Sequence, residues 1–239
     1  MAYLPILTYH RLLAEAPTKA VDPQRISVNL AQFRRQLGWL KRLGFRTLRL
    51  QDYVRNWRAG SRTFAITFDD GYEEVLTLGL PVLKEFGFTA TVFVVANQLG
   101  GTNRWDDGKS RLLSTDQLRE LDRSGITIGS HTLGHVHLTQ VDLETARRET
   151  RDSKARLEDV LGHPVTLWAY PYGESNDQAE RMAREAGYEA AFVTDRGPRD
   201  HSVDSFRLRR VVVFPRNTLW EILCKVQRWY PAYQDWKRK

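Results

Sequence analysis

Two adjacent carboxylates, Asp69 and Asp70, close the apolar run FAITFDDGY at residues 64–72. Successive side chains on a strand diverge, so such a pair can divide its work, one carboxylate ligating a cation while the other stays free as a base. Without a cation, two such neighbours raise each other's pKa. Asp-Asp-Gly is also a common turn after a strand, and the pair alone does not decide between these readings. Further on, GSHTLGH sets His131 and His135 four residues apart. That spacing puts two imidazoles on one side of a helical turn, and a carboxylate from another strand would complete a three-ligand metal site with open positions for water. Two histidines four apart also arise by chance in any chain. His10 and Tyr172 likewise sit at the ends of β-rich runs. Of the other histidines, His137 reads as a surface residue or one that backs the site, His163 as solvent-exposed in a Gly-His-Pro turn, and His201 as a weakly placed residue of a polar loop at the rim.

Positioning these residues requires strands that share one end. Seven β-rich runs alternate with helical patterns: PILTYH, FAITFDD, TATVFVV, ITIGSHT, VTLWAYPYG, EAAFVT and LRRVVVF. The alternation argues a parallel sheet or barrel with helices outside. In a barrel the strand ends that carry His10, Asp69, Asp70, His131 and Tyr172 meet on one face, where loops build active sites. Asn29 with Gln32, Ser114 with Gln117, and Thr218 with Glu221 have capping-box spacing at helix starts. In the helix that follows Thr218, Leu219, Ile222, Leu223 and Val226 form one apolar stripe, and Cys224 beside it reads as structural. Gly44, Gly87, Gly125 and Gly187 mark helix stops before strands. Residues 14–27 and 100–110 read as loops over or beside the site.

With 239 residues, 41% of them hydrophobic, the chain can bury one sizeable core and is expected to form one domain. A lone cysteine forms no intrachain disulfide. The opening MAYLPILTYH lacks a secretory leader, and no run of about 18 apolar residues occurs, so the expectation is a cytoplasmic protein. The formal charge of +7 lies wholly after residue 204, where nine Lys/Arg face Glu221 and Asp235. Together with Trp220, Trp229, Tyr230, Tyr233 and Trp236, this terminus is either a helix packing its aromatics on the barrel or a peripheral membrane contact. Nucleic-acid binding has only this charge in its favour, with no recognised motif, and is not expected.

TFDDGY, SHTLGH and YPYG, in this order and spacing, resemble the first three motifs of the NodB-like polysaccharide deacetylases, carbohydrate esterase family 4. The opening LTYHRL is similar to that of the poly-β-1,6-N-acetylglucosamine deacetylase branch, and LRRVVVFPRNTLWEI to the family's last strand and helix. The resemblance implies a distorted (β/α)7 barrel of residues 1–239 that removes N-acetyl groups from an amino sugar in a glycan or glycoconjugate. It implies that Asp70, His131 and His135 hold a divalent metal, zinc first with cobalt or nickel as alternatives. Asp69 would be the base that activates water, and Tyr172 would offer its backbone N–H to the oxyanion. Two positions depart from the family pattern. Ala169 stands where an arginine is usual, and LRRVVVF lacks the usual histidine acid. His10, on a strand adjoining the last in a closed barrel, is the expected acid. Arg210 is expected to orient Asp69, with Arg209 on the opposite face of the strand. Trp105, Tyr72 and Trp168 are either sugar-stacking surfaces or core. The rival readings are a deformylase or deacetylase of a lipid-linked sugar, and a carbohydrate-binding protein that has lost catalysis.

Overall fold

The computed structural model describes residues 3–16, 22, 24–194 and 204–238. His201 lies outside them. The strands are β1 (Ile6–Tyr9), β2 (Arg11–Leu13), β3 (Ser27–Asn29), β4 (Arg46–Thr47), β5 (Thr63–Phe68), β6 (Thr91–Val94), β7 (Thr127–Ser130), β8 (Leu167–Ala169), β9 (Ala190–Thr194) and β10 (Leu208–Val212). The helices are α1 (Leu30–Arg42), α2 (Leu50–Asn56), α3 (Leu80–Phe86), α4 (Thr115–Arg123), α5 (Leu143–Leu161), α6 (Asp177–Glu185), α7 (Leu219–Lys225) and α8 (Tyr230–Lys237).

The seven runs become the seven parallel strands of one closed barrel. Strands β5 to β10 follow one another in order, and β1 pairs with both β10 and β5 to close the ring. The distortion has named sources. β4 adds only two residues beside the start of β5, and β2 with β3 forms a separate two-stranded pair next to β1. Parallel strands buried on both faces read as near-continuous apolar runs, which is why they stood out in the sequence.

Side-chain parity separates two cores. Tyr9, Phe68, Val92, Ile128 and Trp168 point outward against Leu37, Leu83, Leu121 and Leu157 of the surrounding helices. Ile6, Ala65, Phe93, Leu167, Phe192 and Leu208 point inward and fill the barrel, with Leu50, Tyr53 and Val54 of α2 completing the inner cluster. Gly129 of β7 leaves room for that layer, since a Cβ there would lie 2.5 Å from the Phe93 ring. Farther along the same inward faces the residues turn polar: Thr8 on β1, Thr67 on β5 and Arg210 on β10, then His10 and Asp69 just past their strands. The apolar layer thus forms the floor beneath this polar end of the barrel.

The helix starts follow the capping pattern, with one difference. Ser114 and Thr218 form reciprocal boxes with Gln117 and Glu221. Asn29 accepts the Gln32 backbone N–H, but the Gln32 amide donates to Pro215 O and Asn217 O, tying α1 to the loop before α7. No described helix is long and apolar enough to cross a membrane.

Candidate metal and catalytic site

A cleft of about 210 Å³ opens at the C-terminal ends of the strands, lined among others by His10, Asp69, Asp70, Trp105, His131, His135 and Tyr172. The residues singled out in the sequence therefore converge, save Arg210, which lies directly beneath. Strand β5 ends at Phe68, and Asp70 takes a left-handed backbone (φ 72°) that sends its side chain away from that of Asp69.

Asp70 faces the two imidazoles. Its Oδ1 lies 3.4 Å from His131 Nε2 and 3.2 Å from His135 Nε2. His131 Nδ1 contacts the Ala169 carbonyl at 2.8 Å, and a carbonyl only accepts, so Nδ1 carries the proton. In the neutral ring, Nε2 then presents a lone pair to a carboxylate oxygen. Asp70 Oδ1 is buried and lacks a hydrogen-bond partner. Facing acceptors of this kind suit a cation between them, and separations of 3.2–3.4 Å suit ligands about 2.1 Å from one first-row ion. Burial pushes the His135 imidazole below its ordinary pKa, against the pull of Asp70, which favours its neutral, ligating form. Burial opposes ionisation of Asp70, but the adjoining His131 and His135 rings outweigh it and hold the carboxyl well below the usual range. The residues present fit a divalent metal.

Asp69 points the other way, onto Arg210. The guanidinium donates Nη1–H to Oδ1 at 2.6 Å and Nη2–H to Oδ2 at 2.9 Å. Arg210 is fully buried, with Thr67 Oγ1 at 3.3 Å from Nη1 and its guanidinium over the Phe93 ring at 5.1 Å. Burial pushes the Asp69 carboxyl upward, but Arg210, with His131 and His10, overrides it and keeps the pKa lowered. Arg209 faces the opposite side of β10 and bonds Asp235 on α8. His10 follows β1, beside Asp69, whose N–H bonds Tyr9 O.

Aromatic rings wall the cleft. Trp105 stacks on His135 with ring centroids 4.4 Å apart, and Tyr172 meets the same imidazole edge-on at 4.8 Å. His137 stacks on the outer side of Tyr172. Trp105 is carried by a loop that Asn103 pins, its Oδ1 accepting Ser110 N–H and its own N–H meeting Ser110 O. Of the two other undecided aromatics, Tyr72 is a buried part of the cleft floor and Trp168 is outer core, stacked on Tyr188. Tyr172 sits at φ 59° in a short turn, with Gly173 at φ 69° so close to Thr194 that a Cβ would lie 2.9 Å from its backbone nitrogen. Left-handed non-glycine residues cluster here: Asp70, Thr132, His135 and Tyr172. Such strain persists where surrounding contacts enforce it.

A family model for polysaccharide deacetylases matches residues 58–191, more than half of the 239-residue chain. The chain belongs to the polysaccharide deacetylase family. The matched stretch of this deacetylase carries Asp69, Asp70, His131, His135 and Tyr172, while His10 and Arg210 fall outside it. The poly-β-1,6-N-acetyl-D-glucosamine N-deacetylase of Staphylococcus epidermidis is 26% identical over 239 aligned residues, spanning 92% of this chain and 81% of that protein. The structure of IcaB from Ammonifex degensii superposes with a TM-score of 0.78 at 25% identity, covering all of this chain and 98% of that one. Streptococcus pyogenes deacetylase PplD, solved with acetate, shares the fold with a TM-score of 0.81 over 94% of this chain and 98% of its own, at 24% identity.

Sequence reasoning passed over Glu149 and Thr132, which shape the histidine loop, and Thr194 at the cleft wall. Glu149 had a detectable mark. It is a carboxylate among the small and apolar residues Ala146, Thr150, Ser153 and Leu157 of the buried face of α5.

Proposed function

We propose that this deacetylase is a metal-dependent amide hydrolase that removes N-acetyl groups from an amino-sugar glycan or glycoconjugate. The observation that carries the reading is the convergence, in one cleft, of Asp70, His131 and His135, with ligand atoms within 4.8 Å of one another, and an arginine-held carboxylate at Asp69. Asp70, His131 and His135 would hold the ion, zinc first with cobalt or nickel as alternatives, which when bound polarises the amide carbonyl and makes hydroxide available near neutral pH. Asp69 is ionised at neutral pH and keeps lone pairs free of Arg210, so it takes the proton from the attacking water. His10 lines the same cleft and delivers a proton to the departing sugar nitrogen. The Tyr172 turn aims its backbone N–H at the developing oxyanion, a contribution typically worth roughly 3 kcal/mol of transition-state stabilisation. Relatives named for poly-β-1,6-N-acetylglucosamine support an N-acetylglucosamine polymer as substrate.

A second reading, the same hydrolysis on a lipid-linked amino sugar at a cytoplasmic membrane face, is favoured by Trp229, Tyr233 and Trp236, exposed together beside Arg228 and Lys237. Trp and Tyr rings next to cations suit an anionic interface. The test measures acetate release from N-acetylglucosamine oligomers by metal-stripped protein restored with zinc or cobalt, beside Asp69→Asn. Metal-dependent release that the variant loses supports the deacetylase. Tight zinc binding without release from any N-acetylated oligomer overturns it and leaves a lipid-linked substrate or a carbohydrate-binding protein.

A further inference from the structure

The loop from His131 to His135 is a tight structure whose backbone bonds can be followed almost completely. His131 N–H donates to Val94 O at 2.9 Å, and His135 N–H to its own loop's Thr132 Oγ1 at 3.0 Å. The carbonyls of Thr132 and Leu133 accept from Ala96 and Asn97. Of the three N–H groups between the histidines, those of Leu133 and Gly134 both donate to Glu149 Oε2, at 2.9 and 2.7 Å. Glu149 reaches them from α5 and is buried, 6% exposed, with no ion pair among the described residues. Gly134 permits the approach, because a Cβ there would stand 3.2 Å from Glu149 Oε1. A carboxylate gripping two successive backbone N–H groups is a nest arrangement, and here the nest lies between two left-handed residues, Thr132 at φ 67° and His135 at φ 61°.

We propose that Glu149 is the positioning residue of the metal site: by bonding the Leu133 and Gly134 N–H groups it holds the loop in the conformation that turns both imidazole Nε2 atoms toward Asp70. It touches neither ion nor substrate and acts through the loop backbone. Thr132 is β-branched and disfavours its positive φ, so the loop needs an outside anchor to stay there. Glu149 supplies that anchor from the 19-residue helix α5. Partners one step removed from a metal commonly set its affinity, and their loss costs 10–100-fold. The inference rests on the reading of Asp70, His131 and His135 as metal ligands.

The test compares Glu149→Ala, Glu149→Asp and Glu149→Gln with the wild-type chain, all metal-stripped. Zinc affinity is measured by competition with a chromophoric chelator, and the visible spectrum of the cobalt-loaded protein reports ligand geometry. Thermal unfolding of the metal-free forms separates folding defects from site defects. Glu149→Ala is expected to weaken zinc roughly 10–100-fold and alter the cobalt spectrum. Glu149→Asp, whose shorter carboxylate retracts from the loop, falls between, and carries the test if the alanine variant does not fold. Glu149→Gln keeps an acceptor in place and is expected to restore affinity to within about threefold of wild type. Wild-type affinity and spectrum in Glu149→Ala or Glu149→Asp overturn the proposal. A glutamine variant as weak as alanine also overturns it, because charge rather than acceptor position would then be at work. If the wild-type chain binds neither zinc nor cobalt, the metal reading falls and this inference with it; indifferent variants of a metal-binding chain remove the inference alone.

Discussion

Arg210 and Asp69 form a fully buried ion pair whose partners come from neighbouring parts of the barrel, β10 and the end of β5. Breaking one side of such a pair leaves the other charge buried without compensation, a loss of about 3–5 kcal/mol. Arg210→Met should therefore lower stability by that amount in urea unfolding, and a double variant with Asp69→Leu should recover much of it. A single variant within about 1 kcal/mol of wild type would show that solvent reaches the pair. For the reaction, Asp69→Asn should reduce kcat by roughly 10²–10⁴-fold, the usual worth of a positioned base. Since the asparagine still accepts one bond from Arg210, the variant should keep its fold by circular dichroism, and unchanged turnover would remove Asp69 from the mechanism.

Among the elements, the turn after β8 is the most constrained. Gly173→Ala would combine an unfavourable positive φ with a clash against Thr194, so it should cost at least about 2 kcal/mol and displace Tyr172. Thermal unfolding and the KM for oligomers both read that change. Where α4 and α5 end, His163 Nε2–H donates to Asp122 at 3.0 Å. That bond raises the His163 pKa against a small opposing effect of burial. A raised folded-state pKa stabilises fully below the ordinary histidine value and loses its effect as pH climbs through the raised one. NMR titration of His163 should show a midpoint above about 6.5, and Asp122→Asn should bring it down. This scale also shows what the sequence disclosed. The seven barrel strands were legible because both of their faces are buried, and parity put Arg209 and Arg210 on opposite faces of the last one. β2, β3 and β4, at two or three residues, are too short to carry a pattern. Gln32 looked like half of a capping box, but its amide has a tertiary partner at Pro215 that no local rule reveals. Glu149 escaped because helical periodicity reports burial and not which backbone a buried carboxylate meets.

At the scale of the molecule, the candidate ligands come from the ends of β5 and β7, so a bound ion should tie two loops and stabilise the native state. At a free zinc concentration 100 times Kd the gain is about 2.7 kcal/mol, and for a chain of this size it should raise Tm by roughly 5–10 °C. Chelator should reverse the shift, and an Asp70→Ala variant should not show it. The basic terminus resolves into charges with different uses: Arg209 and Arg210 are buried and paired, and Lys225 Nζ–H donates to Val212 O. Of the terminal aromatics, Trp236 and Trp229 are 72% and 52% exposed, while Tyr230 is half-buried. Sedimentation with phosphatidylglycerol vesicles, lost on Trp229→Ala/Trp236→Ala, would link that face to a lipid-linked substrate. The ring itself closes through Leu7 pairing with Val211, partners separated by roughly 200 residues of chain. Because closing so long a loop costs entropy before the contact forms, closure is expected to come late in folding. Because His10 rides on the first strand and Arg210 on the last, Asp69, the proposed base, would gain its counter-charge only at that moment. A nascent chain emerging from the ribosome would therefore hold its Asp-His-His constellation well before it could use it, and hydrolytic competence should appear together with the final strand in a pulse-refolding experiment.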